Sequence, residues 1–265
     1  GEMITAIAMT EPGTGSDLAG MQTTARRDGD HYVLNGAKTF ITGGVLADRV
    51  LVVARTSPPT PENRRAGLSI LAVDTKSEGY AVGRKLEKIG LRSSDTAELS
   101  FTDVRVPVED LLGEEGRGFE YLTHNLAEER LGIATNAYAS AAAAVEFTRK
   151  YVQERTVFGK TVSSFQNTKF VLAECATEVE AARSLVDRCI EALDEGELTP
   201  ADAAMCKLFC TEVQGRVVDK CLQLHGGYGY ILEYPIARLY TDARVSRIYG
   251  GTSEVLKTII AKDIK

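Results

Sequence analysis

The 265-residue sequence lacks several things that would have fixed its class at once. No stretch approaches the roughly 20 consecutive apolar residues of a membrane span, so a membrane-spanning protein is not expected. The opening residues Gly1-Glu2-Met3-Ile4-Thr5 have neither a basic segment nor an apolar core, which argues against a secretory signal peptide and for a cytoplasmic protein. There is no excess of basic residues: the net charge of −6 disfavours a nucleic-acid surface, while leaving room for small anions held by a few local arginines. Disulfide pairing is not suggested either. Cys175, Cys189, Cys206, Cys210 and Cys221 are odd in number and fall in helix-like apolar patterns, as reduced core thiols do. Cys206 and Cys210 can share a helix face, yet no His or carboxylate stands at ligand spacing, so no metal is expected. No internal repeat occurs, and the only low-complexity tract is Ala141 to Ala144, a strong helix former.

What is present is 44% hydrophobic and 26% charged residues, enough for a globular chain with one large or two small domains. Residues up to about 103 alternate short β-branched or aromatic runs with turn residues. Tyr32-Val33-Leu34 lies between Asp28-Gly29-Asp30 and Asn35-Gly36, and Thr39–Thr42, Val50–Val53, Leu68–Val73 and Ala97–Phe101 follow as strands. The prolines and charges of Ser57–Ala66 mark a surface loop. The pattern then changes to long helices. From Phe119 onward, Leu122, Leu126, Ile133, Ala137, Ala141, Val145 and Val152 follow three-or-four spacing. Thr168, Leu172, Cys175, Val179, Ala182, Val186, Cys189 and Leu193 form a bundle seam that stops at Glu195-Gly196. A third helix is expected to start with Thr199 as N-cap and Pro200 as first residue, and to end before Gly226. The boundary falls within Val104–Phe119, where glycines, a proline and charges interrupt both patterns.

Two features point to chemistry. The stretch Leu224–Pro235, followed by Asp242-Ala243-Arg244 and Ile248–Glu254, strings together a glycine-rich helix exit, a proline helix start and a second glycine turn. Such junctions leave backbone N–H groups pointing outward and suit phosphates or oxyanions; ordinary helix caps are the alternative. Glu129 stands three and four residues from Leu126 and Ile133, which puts its carboxylate on the stripe expected to face the core. Desolvation there raises a carboxyl pKa and makes a better base, although an ion pair with Arg130 or a partner helix fits the spacing equally well.

Six separated motifs, in order, resemble the acyl-CoA dehydrogenase family, most of all its long-chain branch: Thr10–Asp17, Asn35–Thr42, the Val106-Pro107 to Gly118-Phe119 linker, Glu154–Lys160, Gln223–Gly227 and Tyr249–Thr252. The resemblance implies an α+β chain, with an antiparallel, barrel-like middle β domain over residues 1–110 and an up-and-down four-helix bundle over 111–265. It also implies that the family's N-terminal helical domain is absent, so that the chain is expected to be a fragment, or one whose first domain was removed or lost, with a substrate pocket open on one side. The expected reaction is FAD-dependent α,β-dehydrogenation of an acyl-CoA thioester to the trans-2-enoyl-CoA, in fatty acid β-oxidation, with electrons passed to electron-transfer flavoprotein. Most members carry the base as Glu at the position of Gly250; the long-chain and isovaleryl branches instead carry it in a Glu-Arg-Leu motif matching Glu129-Arg130-Leu131, so Glu129 is the expected base. The backbone N–H of Gly250 and a flavin ribityl hydroxyl are the expected thioester oxygen donors.

By the same resemblance, Met9, Thr10, Ser16, Phe40, Ile41 and Thr42 contact the flavin. Arg155, Phe158, Gln166, Gln223, Leu224, His225, Gly226 and Gly227 contact the dinucleotide across a subunit interface, with Thr252 and Glu254 near its adenine half. Ser163–Gln166 also fits a capping box, a rival role for Gln166. Ser16, Arg130 and Gly251 are expected on the substrate side. FAD held by two chains implies a homo-oligomer, a dimer of dimers. The alternatives are an acyl-CoA oxidase-like flavoprotein that passes electrons to oxygen, and a non-catalytic scaffold subunit of a hetero-oligomer. The acyl chain length is not legible in the sequence.

Overall fold

A computed structural model describes residues 1–264. The chain divides into two compact units, Gly1–His124 and Asn125–Lys265.

The first unit is built on a seven-stranded mixed sheet. Its strands are β1 (Thr5–Ala8), β2 (Thr24–Asp28), β3 (His31–Thr42), β4 (Arg49–Arg55), β5 (Leu68–Asp74), β6 (Tyr80–Lys85) and β7 (Thr96–Pro107). The order is β1-β4-β2-β3-β7-β6, with β5 paired to β4. Most pairings are antiparallel, as expected, but β4 runs parallel to β1 and, at one residue pair, to β2. The sheet therefore curls into a half-barrel of mixed direction. Alternation along β3 and β4 sends Tyr32, Leu34, Ile41, Val50 and Val52 into one core with Leu99 and Phe101.

The Gly29-Asp30 hairpin turn forms where expected, with Gly29 at φ 64°. Asn35-Gly36 makes no turn. β3 runs straight through it with a bulge against β7, and glycine is required there because a Cβ would stand 2.4 Å from the Thr23 hydroxyl. The helix expected from Phe119 is also interrupted. Short helix α1 (Gly118–His124) packs on β5 with Phe119, Tyr121 and Leu122, and the long helix starts afresh at Leu126.

The second unit has three long helices, α2 (Leu126–Glu154), α3 (Gln166–Asp194) and α4 (Pro200–His225), and two short ones, α5 (Pro235–Ala243) and α6 (Ser253–Asp263). A small hairpin of β8 (Thr156–Val157) and β9 (Lys160–Thr161) joins α2 to α3. On α3, Thr168, Cys175, Ala182, Val186 and Cys189 are buried, with Val179 and Leu193 half-buried, which is the expected seam. Helix α4 starts as expected, with the Thr199 hydroxyl accepting from the Asp202 N–H at 3.0 Å and Pro200 in the first turn, and it ends at Gly226 with φ 57°. The Ser163–Gln166 capping box does not form: Phe165 is the N-cap of α3, and the Ser163 hydroxyl bonds Thr161 instead.

Helix α2 corrects the reading of Glu129. Its buried residues are Arg130, Leu131, Ala134, Ala137, Ala141, Ala144, Thr148 and Val152; Ala137, Ala141 and Val152 are buried as expected, but Leu126, Ile133 and Val145 are only half-buried, and Glu129 is exposed. The physical reason is residue size. Small Ala134, Ala137, Ala141 and Ala144 let α2 pack closely in the bundle core and take its buried face together with Leu131, and Leu126 and Ile133 are left half-buried at its border.

One buried ion pair anchors the sheet unit. Lys38 Nζ donates to Glu11 Oε1 at 2.9 Å and to the Met9 carbonyl at 3.0 Å, and both side chains are buried. The Glu11 carboxylate also accepts from the backbone N–H groups of Gln22 and Thr23 at 2.7 and 2.9 Å. Burial alone would raise the Glu11 carboxyl, but the hydrogen bonds from Thr23 and Gln22 and the Lys38 charge outweigh it and hold it below its ordinary value. Burial pushes Lys38 down to about 8 against the pull of Glu11. Removing one partner of such a pair costs about 3–5 kcal/mol, so Lys38→Met should lower the urea-unfolding free energy of the sheet unit by about that amount. A change under ~1 kcal/mol would show that the pair is not structural. Because the folded carboxyl of Glu11 is depressed, its stabilisation is complete above about pH 4.3 and disappears as pH falls through the folded value, and Glu11→Gln should blunt that acid dependence.

Candidate functional site

Two groups of residues in the sheet unit are brought together by the backbone. The Thr39 N–H donates to the Thr10 carbonyl at 2.9 Å, and Lys38 holds the Met9 carbonyl, so Met9 and Thr10 lie against the β3 segment that leads into Phe40. The loop beyond them closes on itself through paired Glu11 and Thr14 backbone bonds of 2.8 and 3.0 Å. Ser16, on the far side of that closure, is exposed. A second bulge against β7 lies between Lys38 and Ile41. Within it Phe40 adopts φ 60° and turns its ring outward, 67% exposed. A bulky residue in the left-handed region at the surface is strained, and strain of this kind gathers at ligand sites. Thr42 is exposed beside it, whereas the Ile41 side chain is buried in the sheet core, so only its backbone can face a ligand.

In the helical unit, Arg155, Gln223, Leu224, His225, Gly226 and Gly227 line one cavity of about 520 Å³. The motif is assembled by the end of α2 meeting the glycine exit of α4. Tyr151 stacks on His225, ring centroids 4.3 Å apart, and donates its hydroxyl to the His225 carbonyl at 3.1 Å. The Arg155 guanidinium lies 5.6 Å from the centre of the Tyr228 ring. His225 Nδ1 contacts the Cys221 carbonyl at 3.0 Å, which assigns the proton to Nδ1, and burial pushes its pKa down, so the ring is a neutral wall rather than a charged contact. A Cβ at Gly226 or Gly227 would meet nothing within 4 Å, so the glycine backbone is open to a guest.

Other expected dinucleotide residues lie outside this lining. Phe158 tips the β8–β9 hairpin at φ 50° and is 94% exposed. Gln166 is the exposed first residue of α3. Thr252 is the N-cap of α6, accepting from the Val255 N–H at 3.3 Å, and its hydrogen bond, after that of Glu254's own backbone, holds the Glu254 carboxyl below the ordinary range. Tyr151 and Tyr228 were not anticipated. The spacing of Tyr151 and Arg155, one helical turn apart, was the available signal.

The third cluster joins α2, α4 and the turn before α6. Arg130, 5% exposed, donates from Nε to the Gly250 carbonyl at 3.3 Å. Gly250 and Gly251 have φ 62° and 101°, and a Cβ on Gly250 would stand 2.5 Å from Ile133 Cδ1. Position 250 thus sits against the helix turn that Glu129 begins. No salt bridge joins Glu129 to Arg130 among the described residues. Desolvation raises the Glu129 carboxyl above its ordinary value, with Arg130 opposing, even though water reaches the side chain.

No group of His, Cys, Asp and Glu able to hold a metal occurs among the described residues, and none of their helices is long and apolar enough to cross a membrane.

Residues 6–104 match the family model described as acyl-CoA dehydrogenase, middle domain, and residues 116–265 the one described as acyl-CoA dehydrogenase, C-terminal domain. The chain is 49% identical over 269 residues to the long-chain specific acyl-CoA dehydrogenase, mitochondrial, of Sus scrofa, a match covering 100% of this chain and 61% of that protein. It thus spans about three-fifths of the length of the curated relative. Among solved structures, an acyl-CoA dehydrogenase from Geobacillus kaustophilus superposes with a TM-score of 0.97 at 51% identity, over 100% of this chain and 69% of that one. Butyryl-CoA dehydrogenase from Megasphaera elsdenii does so with a TM-score of 0.93 at 38% identity, over 99% and 68%.

The strain at Phe40 gives a direct test. Asn tolerates the left-handed region and the ring makes little burial to lose, so Phe40→Asn should leave the sheet unit as stable as before or about 1 kcal/mol more stable. A loss above ~2 kcal/mol in urea unfolding would make Phe40 a packing residue instead.

Proposed function

Because the chain belongs to the acyl-CoA dehydrogenase family, we propose that it forms the flavin-binding and proton-abstracting part of an enzyme that converts an acyl-CoA thioester to its trans-2-enoyl-CoA. The observation that carries this reading is the contact of the Gly250 turn with the first turns of α2: Ile133 fills the space of a side chain at 250, and Glu129 stands one helical turn before Ile133. The position that would hold the base in most members has no side chain, and a carboxylate with a raised pKa lies on the helix packed against it.

Glu129 takes the α-proton. Its exposure leaves it open to a substrate, and its raised pKa makes it a stronger base than an ordinary glutamate. Negative charge then builds on the thioester oxygen, which the backbone N–H of Gly250 stabilises; loss of one such donor costs roughly 3 kcal/mol. Arg130 holds the Gly250 carbonyl and so fixes the peptide on the other side of that glycine. Ser16, Arg130 and Gly251 complete the substrate side.

The residues present fit FAD. An exposed, strained aromatic beside the Met9-Thr10 segment suits a flat ring, and an aromatic cleft with Arg155 and bare glycine backbone suits a dinucleotide. When bound, FAD supplies the acceptor for the β-hydride. Met9, Thr10, Ser16, Phe40, Thr42 and the Ile41 backbone would hold the flavin; Arg155, Phe158, Gln166 and Gln223 through Gly227, with Thr252 and Glu254, would hold the dinucleotide. Electron-transfer flavoprotein as acceptor, assembly as a dimer of dimers, and a cytoplasmic location belong to the same proposal.

Anaerobic mixing of the FAD-loaded protein with a series of acyl-CoAs should bleach the flavin absorption and reveal the preferred chain. Glu129→Gln should retain FAD and lose bleaching by at least 1,000-fold, the order of a lost general base; a fully active Glu129→Gln enzyme overturns the assignment. The acid limb of kcat/KM should lie above the ordinary glutamate value, in the direction of the raised carboxyl. Adding Gly250→Glu to Glu129→Gln should not restore turnover until Ile133→Ala makes room for the new side chain.

A further inference from the structure

Lys207 is the most deeply buried charged side chain described in the helical unit. It is 0% exposed on α4, and no carboxylate pairs with it among the described residues. An ammonium taken from water costs several kcal/mol, so an uncompensated one calls for an oxygen. Its Nζ donates to the Gly251 carbonyl at 2.7 Å, and its Cε lies 3.5 Å from where a Cβ on Gly250 would stand. One side chain thus bonds the second glycine and lines the space a side chain on the first would enter.

Those glycines need it. Both have positive φ, neither has a side chain to lock its backbone, and glycine loses more freedom on ordering than any other residue. Arg130 grips the Gly250 carbonyl from α2, Lys207 grips the Gly251 carbonyl from α4, and Thr252 caps α6 immediately afterwards. The turn is held from two helices by successive carbonyl oxygens, and no acceptor for the Gly250 or Gly251 N–H is found among the described residues. Burial, with Arg130 nearby, pulls the Lys207 ammonium down to about 8, the mark of a cation kept where solvent does not support it.

We propose that Lys207 is a positioning residue: by bonding the Gly251 carbonyl and bounding the space beside Gly250, it fixes the direction of the Gly250 N–H that, on the reading above, receives the developing charge of the thioester oxygen. Lys207 touches no substrate. Its effect is to remove a freedom that a Gly-Gly turn would otherwise regain at each turnover.

Amide hydrogen exchange on the full chain tests the clamp without any chemistry. Lys207→Met keeps the stem and deletes the donor, and it should speed exchange at Gly250 to Thr252 at least tenfold while core amides of α2 and α3 keep their rates. Equal rates at the turn overturn the proposal. Should that variant fail to fold, the unsubstituted chain still decides: a nuclear Overhauser contact between Lys207 Hε and Gly250 Hα supports the clamp, and its absence overturns it. In the FAD-loaded enzyme, Lys207→Met should lower kcat about 100-fold, the effect of a misdirected oxyanion donor, with KM for acyl-CoA within threefold. Lys207→Arg should recover a tenth or more of the lost rate. A loosened turn with unchanged kcat would sink the positioning role, whereas an active Glu129→Gln enzyme with an intact Lys207 effect would sink only the base assignment.

Discussion

A buried cation has to find an oxygen, and this requirement organises both units. Moving an ammonium or guanidinium out of water costs several kcal/mol unless hydrogen bonds replace the lost solvent. Lys38 meets it with the Glu11 carboxylate and the Met9 carbonyl, Arg130 with the Gly250 carbonyl, and Lys207 with the Gly251 carbonyl. In each case at least one acceptor belongs to a segment between regular elements, where backbone oxygens have no ladder to join. The cations are thereby spent on loops. The Met9–Thr14 loop and the Gly250–Gly251 turn, which secondary structure alone would leave loose, are tied to β3 and to α2 and α4.

Close packing makes such reach possible. Ala134, Ala137, Ala141 and Ala144 of α2 are fully or nearly fully buried, in one core with Cys206 and Cys210 of α4. Small residues bring helices close, and long side chains at the end of the interface then span the remaining gap. The thiols belong to this packing. All five cysteines are free and buried, and burial, ahead of neighbouring Cys206, pushes the Cys189 thiol up to about 12, far from a reactive thiolate.

The opposite economy appears at the candidate ligand surfaces, where the chain exposes what it would ordinarily hide. Phe40 and Phe158 both adopt positive φ and both stand largely in solvent. Local backbone geometry, rather than hydrophobicity, puts them there: a bulge in β3 for one, a two-residue hairpin for the other. The neutral His225, stacked on Tyr151 and bonded to the Cys221 carbonyl, gives the helical cavity a rigid wall on which the bare glycines can be presented.

Wherever one local rule suffices, the sequence determined the outcome. The α3 seam, the Thr199-Pro200 helix start, the Gly226 helix end and the strand runs at Val50 and Leu68 depend on spacing and backbone preference within a few residues, and they formed as read. Family motifs likewise single out Arg155 and Gln223 through Gly227, which line one cavity of the helical unit. Tertiary structure decided what depends on distant neighbours. Asn35-Gly36 stayed within β3, where Thr23 leaves room only for glycine; Ile41 went to the sheet core beyond a bulge against β7; α2 buried Arg130, whose Nε reaches the Gly250 carbonyl, and left Glu129 exposed. The partner of Lys207, 44 residues away along the chain at Gly251, could be found only after folding, since a hydrogen bond between remote segments leaves no period in a sequence.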